Sequence, residues 1–397
     1  MGAFDIDVCV VGGAGHVGFP LAVALASRGL AVAIHDINDE AVATIRDGVA
    51  PFLEPGVDEP LARALASGAL VADNDVTLLE RAEVVIVVVG TPVDQYLSPD
   101  PEAVPRAIGE LVDHLRPGQL LVLRSTVFPG VTRRVEQLLA THSDVDLAFC
   151  PERIAEGRAM TELFELPQIV SARTPRAAKR AADLFRHLTA SIVELEPEEA
   201  ELAKLFTNSW RYIKFAAANQ YFMMANDLGL DFSRIRAAMI EDYPRAADLP
   251  GAGLAAGPCL FKDTMQLASV TGGSFPLGHS AMLVNEGLPD YLVKRIEARH
   301  DLASMTVAIL GMAFKAESDD RRSSLSYRLK RVLRFRAARV LTTDPFVRDD
   351  PELRPLDEVL AAADLVVIGA PHEQYRNLPI GCEVVDVWNL RGEGSLT

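Results

Sequence analysis

Short apolar runs alternate with amphipathic stretches in the first part of the chain. "DVCVVG", "LAVAIHD", "EVVIVVVG", "QLLVLRST" and "VDLAFCPE" read as strands buried on both faces. "PQIVSA" adds a further strand, and "TPRAAKRAADLFRHL" reads as a helix. Continuous apolar strands separated by helical patterns predict a parallel sheet covered by helices. From Pro197 the texture changes. "PEEAELAKLFTNSWRYIKFAAANQYFMMANDLG" keeps a helical apolar period with no Pro or Gly between Pro197 and Gly229, which predicts one long helix. A shorter helix follows at "DFSRIRAAM", then the loop "LPGAGLAAGPC", then a helix at "FKDTMQLASVTG". After Met305 the alternation returns with "TVAILG", "AARVLTTDP", "DLVVIGAP" and "EVVDVW". The expected fold is α/β, with two Rossmann-like, doubly wound parallel-sheet domains joined by a long central helix and a helical middle domain. The expected boundaries are 1–196, 197–300 and 301–397.

Charge and cysteine content narrow the function. The formal net charge of −16 argues against a general nucleic-acid or membrane-surface binder, because both need a positive field. An anionic small molecule stays possible if Lys and Arg are gathered locally. The four cysteines, Cys9, Cys150, Cys259 and Cys382, lie far apart with no CxxC pair. That is neither a disulfide framework nor a zinc site, and no metal is expected. Free thiols, the absence of a signal-peptide pattern and the absence of a long apolar run predict a cytoplasmic protein.

"VCVVGGAGHVGFPLAVALASRGLAVAIHD" holds G-x-G-x-x-G at Gly13, Gly15 and Gly18, with His16 and Val17 between the last two glycines. The motif follows a strand, opens a helix, and precedes a second strand ending in Asp36. In that setting glycines let the backbone approach a pyrophosphate, and the helix N-terminus favours its charge. Asp36 can accept bonds from ribose hydroxyls and would repel a 2′-phosphate, so NAD is the expected cofactor. A nucleotide-free Rossmann fold with packing glycines is the competing reading. Thr91 and Thr126 close two further strands, where they are either cofactor contacts or strand-end caps.

Three stretches carry polar groups that are wasteful unless they converge. "CPERIAEG" puts Glu152 after a strand. "EAELAKLFTNSW" puts Lys204 and Asn208 on one helix face. "PCLFKD" puts Cys259, Lys262 and Asp263 at a loop-to-helix junction, where a helix N-terminus can activate a thiol. The bland readings are a surface carboxylate, a Lys204–Glu201 surface pair and a small buried cysteine.

The chain resembles the UDP-glucose/GDP-mannose dehydrogenase family along nearly its whole length. The carrying motifs are "GGAGHVGFPLA", "FLEPGVDE", "VVVGTPVD", "RSTVFPG", "CPERIAEG", "AELAKLFTNSW", "GPCLFKD", "GMAFKAESDDRRSS" and "DVWN", in the family's order and spacing. The resemblance implies an NAD-binding N-terminal domain, a homodimer built by the long helix, and a C-terminal domain that binds a UDP-sugar. It implies oxidation of the sugar's C6 alcohol to a uronate such as UDP-glucuronate, for polysaccharide biosynthesis. In that reading Lys204 and Asn208 stabilise the developing oxyanion, and Cys259 forms a thiohemiacetal and then a thioester. Asp263 or Glu152 positions the hydrolytic water, and Thr126 hydrogen-bonds in the site. Lys315 and Arg322 match residues that meet the nucleotide sugar, and Arg245 matches an arginine donated across the dimer.

The chain also departs from the family's pattern. The family's loop before the cysteine usually reads G-x-G-x-G-G-x-C. Here "GAGLAAGPC" is one residue longer, with alanines and Pro258. Asn219-Gln220 stands where Asn-Glu is usual, and Trp388 where arginine is common. "PERIAEG" leans towards UDP-N-acetylhexosamine over UDP-glucose. The alternatives are a single-step hydroxy-acid dehydrogenase of the 6-phosphogluconate type and a silent nucleotide-sugar-binding protein.

Overall fold

The computed structural model of the chain describes residues 4–91, 94, 100–140, 144–255, 257–270, 272 and 274–395. Pro92 and Val93 of "VVVGTPVD" and Ala256 of the cysteine loop lie outside them. The chain divides into two compact units, Met1–Phe206 and Thr207–Thr397.

The first unit is built on β1 (Ile6–Val11), β2 (Val32–His35), β3 (Leu70–Asp73), β4 (Ala82–Val87), β5 (Leu120–Leu123), β6 (Asp146–Phe149), β7 (Gln168–Ser171) and β8 (Ile192–Leu195). They form one sheet in the order β3-β2-β1-β4-β5-β6-β7-β8. Cys9 pairs with Ala33 on one side and Val85 on the other, so β1 is central. Its apolar run is continuous because both faces are covered. Val8 and Val10 pack into one core layer, Cys9 and Val11 into the other. The sheet is parallel except where β7 meets β6 antiparallel, Phe149 opposite Ser171.

The second unit carries a four-stranded parallel sheet of β9 (Thr306–Leu310), β10 (Arg339–Thr343), β11 (Leu365–Ile368) and β12 (Glu383–Val385), in the order β10-β9-β11-β12. The two sheets repeat one construction. Gly12 after β1 and Gly311 after β9 both have positive φ, +72° and +94°. Each donates its N–H to the last residue of the next strand, His35 and Thr343, at 2.9 Å. A Cβ on Gly12 would lie 2.0 Å from the Val88 oxygen, and one on Gly311 would lie 2.6 Å from Ala370 backbone atoms. Only glycine lets the chain leave the strand so close to its neighbour.

The long helix runs Pro197–Asp227 as the pattern predicts. The helix Pro276–Glu297 was not read from the sequence, because Gly278, Gly287 and Pro289 interrupt its pattern. Leu288, Leu292, Val293 and Ile296 bury themselves in the second unit's core. Their burial, about 1.5–3 kcal/mol for each side chain, outweighs the ~3 kcal/mol cost of an internal proline. Among the described residues no helix is long and apolar enough to cross a membrane.

Candidate active site

In the first unit the glycine loop separates two roles. Gly12, Gly13 and Gly18 are packing glycines, since a Cβ on any of them would fall within 2.0–2.6 Å of backbone oxygen. A Cβ on Gly15 would meet only the Gly12 oxygen, at 3.5 Å. The protein does not need glycine at Gly15, but close approach of a pyrophosphate does. The helix Gly18–Ser27 has no side-chain cap at its N-terminus and no acidic residue in its first turn, which suits an anion. Asp36 Oδ2 accepts the Ala14 N–H at 2.9 Å and Oδ1 accepts the Asn38 N–H at 3.0 Å. A carboxylate has about four lone-pair sites, so capacity remains for ribose hydroxyls. The residues fit a dinucleotide. The corresponding Asp344 after β10 does not. Its oxygens accept four backbone N–H groups, from Met312, Ala313, Phe346 and Val347, and meet His372 Nε2 at 3.1 Å.

The strand ends beside that loop are tied together. Thr91 donates its hydroxyl to the Thr126 carbonyl at 2.7 Å, and Ser125 bridges both backbone groups of Val89. Glu152 is a buried carboxylate, not a surface one. It pairs with the Arg124 guanidinium and accepts the N–H groups of Arg153 and Ile154 at 2.6 and 3.0 Å. Oε1 therefore holds the loop that follows β6, while Oε2 takes the Arg124 guanidinium. Glu54 of "FLEPGVDE" grips the far end of the same loop, accepting from Gly157 and Ala159 N–H at 2.8 and 2.9 Å. Between these anchors the Glu156 carboxylate lies 3.6 Å from His16 Nδ1 of the glycine loop. The sequence reading named His16 and missed Glu156, because no local period links positions so far apart.

Lys204 is 9% exposed, so it is not a surface lysine. Glu201 has a different task. Fully buried, it accepts the N–H groups of Gly130 and Thr132 at 2.6 and 2.8 Å, capping the helix Val131–Leu139.

In the second unit Cys259 is the one exposed cysteine of the four. Burial pushes the Cys9 and Cys150 thiols up to about 12 and raises Cys382. The Cys259 carbonyl accepts the Asp263 N–H at 2.9 Å, which places Cys259 at the N-cap of the helix Leu260–Val270. A thiol there feels the positive end of the helix, which favours thiolate. One turn on, Asp263 is fully buried. Its Oδ2 accepts Asn208 Nδ2 at 2.5 Å, and its Oδ1 meets Lys262 Nζ at 3.0 Å. Lys262, Asp263 and Asn208 thus meet one turn from Cys259.

A cavity of about 570 Å³ adjoins this cluster, lined by Gly257, Phe261, Glu286, Arg322, Tyr327 and Arg328 among others. That is room for part of a nucleotide. Arg322 is held bidentate by Asp320 and leaves its side chain 55% exposed. Lys315 stacks over Phe314, 5.5 Å from the ring centroid, and is not among the cavity's lining residues. Arg245 is exposed against the Tyr243 ring, 5.1 Å from its centroid.

Sequence models of one family match almost end to end. Its NAD-binding domain covers residues 6–189, its central domain 198–286 and its UDP-binding domain 308–389. The chain belongs to the UDP-glucose/GDP-mannose dehydrogenase family. It is 31% identical over 380 residues to the UDP-N-acetyl-D-mannosamine dehydrogenase of Pyrococcus horikoshii, covering 92% of this chain and 90% of that protein. It is 30% identical over 403 residues to an NDP-N-acetyl-D-galactosaminuronic acid dehydrogenase of Ralstonia nicotianae, covering 95% and 94%. A solved UDP-glucose dehydrogenase of Pyrobaculum islandicum superposes with a TM-score of 0.89 at 30% identity, covering 97% and 94%. As a member of this family the chain is an NAD-dependent oxidoreductase, and the glycine loop described above lies in its NAD-binding domain.

Proposed function

We propose that the chain oxidises the C6 alcohol of a UDP-hexose to the uronate in two successive steps through Cys259. UDP-N-acetylhexosamine is the favoured substrate and UDP-glucose the alternative. One observation carries the reading: an exposed thiol at a helix N-cap, with a buried carboxylate one turn on that is held by an amide and an ammonium. The N-acetylhexosamine preference is supported by "PERIAEG" and by the names of the curated relatives.

NAD, when bound, accepts the hydride in each oxidation. Gly15, Asp36, His16, Val17 and Thr91 hold it. Lys204 and Asn208, one turn apart on the long helix, stabilise the negative charge that develops as the C6 hydroxyl loses its proton. The Cys259 thiolate then adds to the aldehyde carbon and the carbonyl oxygen takes a proton, giving a thiohemiacetal. Its oxidation yields a thioester. Asp263 positions the water that displaces the thiolate and releases the carboxylate. Thr126 supplies a hydrogen bond to the sugar. Glu152 holds its loop in place, so Asp263 is preferred to it for the water. Arg322 and Lys315 hold the diphosphate.

The three matched domains support the expected division at 196/197 and 300/301. Phe206, Trp210, Tyr221 and Met224 form an exposed apolar stripe on the long helix, and Leu228 extends it just past the helix end. A second copy covers that stripe, and Arg245 acts in the partner's site. Light scattering tests the dimer: Trp210→Glu yields a monomer, and an unchanged mass would oppose it.

The substrate is tested by initial rates with NAD⁺ against a panel of nucleotide sugars. UDP-N-acetylmannosamine or UDP-N-acetylgalactosamine is expected to exceed UDP-glucose in kcat/KM. Reduction of NAD⁺ by none of the panel would end the proposal.

A further inference from the structure

The loop before Cys259 meets a residue far away in the sequence, Trp388. The indole of Trp388 lies flat on this loop. A Cβ on Gly253 would fall 2.2 Å from both Cε3 and Cζ3 of the ring. The ring is held from behind, with Nε1 donating to the Gly369 carbonyl at 3.2 Å just after β11. The loop is held from the other side, the Gly253 N–H donating to Oδ1 of the fully buried Asn219 at 2.9 Å. Four residues later Gly257, at φ +110°, lies against the Phe314 ring, and a Cβ there would come within 2.7 Å of it. Cys259 follows after Pro258.

We infer that Trp388 is a positioning residue for Cys259, acting through the loop that precedes it. The indole takes up the strand-end space and fixes the loop at Gly253. Asn219 fixes the same residue from the long helix, and Phe314 fixes the loop again at Gly257. With φ restricted at Pro258, the chain between these clamps and the helix N-cap has little freedom, so the thiol is delivered in one place. The inference rests on the Cys259 reading above. It adds that thiol placement in this chain depends on an aromatic face.

Trp388→Ala, Trp388→Phe and the pair Gly253→Ala and Gly253→Ala/Trp388→Leu test this on the full chain. Trp388→Ala is expected to lower kcat by about tenfold or more, leaving NAD⁺ affinity unchanged. Trp388→Phe should restore most of the loss. Hydrogen exchange should quicken in peptides covering residues 250–259 and stay unchanged in those covering β9. Gly253→Ala should be impaired alone and partly rescued by the smaller Leu at position 388. Exchange unchanged at 250–259, or no rescue in the double variant, would overturn the inference. Cys259→Ala is the separate control. If that variant keeps full uronate formation, the Cys259 reading fails, whatever the loop does.

Discussion

Asn208, on the long helix, donates from Nδ2 to Oδ2 of Asp263 across 2.5 Å, and Asp263 is fully buried one turn past Cys259. This bond fixes the carboxylate that the proposed thioester step needs. Asp263→Asn keeps the shape and removes the charge. It is expected to lower turnover by roughly 10²-fold or more, with the covalent sugar adduct accumulating on Cys259. Intact-mass measurement after rapid quenching reads the adduct. Slow turnover without an adduct would move the water-positioning role elsewhere.

The glycine loop makes two opposite predictions. Gly12→Ala places a Cβ 2.0 Å from the Val88 oxygen at φ +72°. That variant should lose at least ~2 kcal/mol of stability, read as a fall in Tm. Gly15→Ala meets nothing closer than 3.5 Å. It should keep the wild-type Tm and bind NAD about tenfold more weakly, read by calorimetric titration.

Asp344 links stability to acid. Burial alone would push its carboxyl up. The His372 ring and the Val347 and Ala313 amides outweigh burial and hold it down at about 2. A carboxyl depressed in the folded state stabilises the fold above its unfolded value. The second unit therefore has this stabilisation, about 2 kcal/mol, in full above pH ~4, and loses it as pH falls towards 2. Asp344→Asn should be less stable at pH 6, and the gap to wild type should narrow by more than half at pH ~2.5. Urea unfolding at the two pH values measures it.

Thiol chemistry separates the four cysteines. Iodoacetamide at neutral pH should modify Cys259 first in the folded protein. Cys9 and Cys150, buried and held up at about 12, should react only after unfolding. Peptide mapping of the time course checks this, and early labelling of Cys9 would contradict the fold.

Much of this was legible in the sequence because it is local. The strand–glycine–helix turn at Gly13, the helical run from Pro197 and the loop-to-helix junction at Cys259 each declare themselves within a short window. The Pro276–Glu297 helix did not, because buried Leu288 and Leu292 override its glycines and Pro289. Glu54 and Glu201 were equally silent as caps. The N–H groups they accept from, at Gly157 and Gly130, lie about a hundred and about seventy residues away. The loop before Cys259 and Trp388 were each noted separately in the sequence. Only the fold brings the indole onto the loop.

The central claim is a two-step oxidation through Cys259. The most direct measurement counts NADH formed per uronate released with the best nucleotide sugar, for wild type and Cys259→Ala. The account predicts two NADH per uronate in wild type and no uronate from the variant. A ratio of one, or uronate formed at the wild-type rate without the thiol, would contradict it.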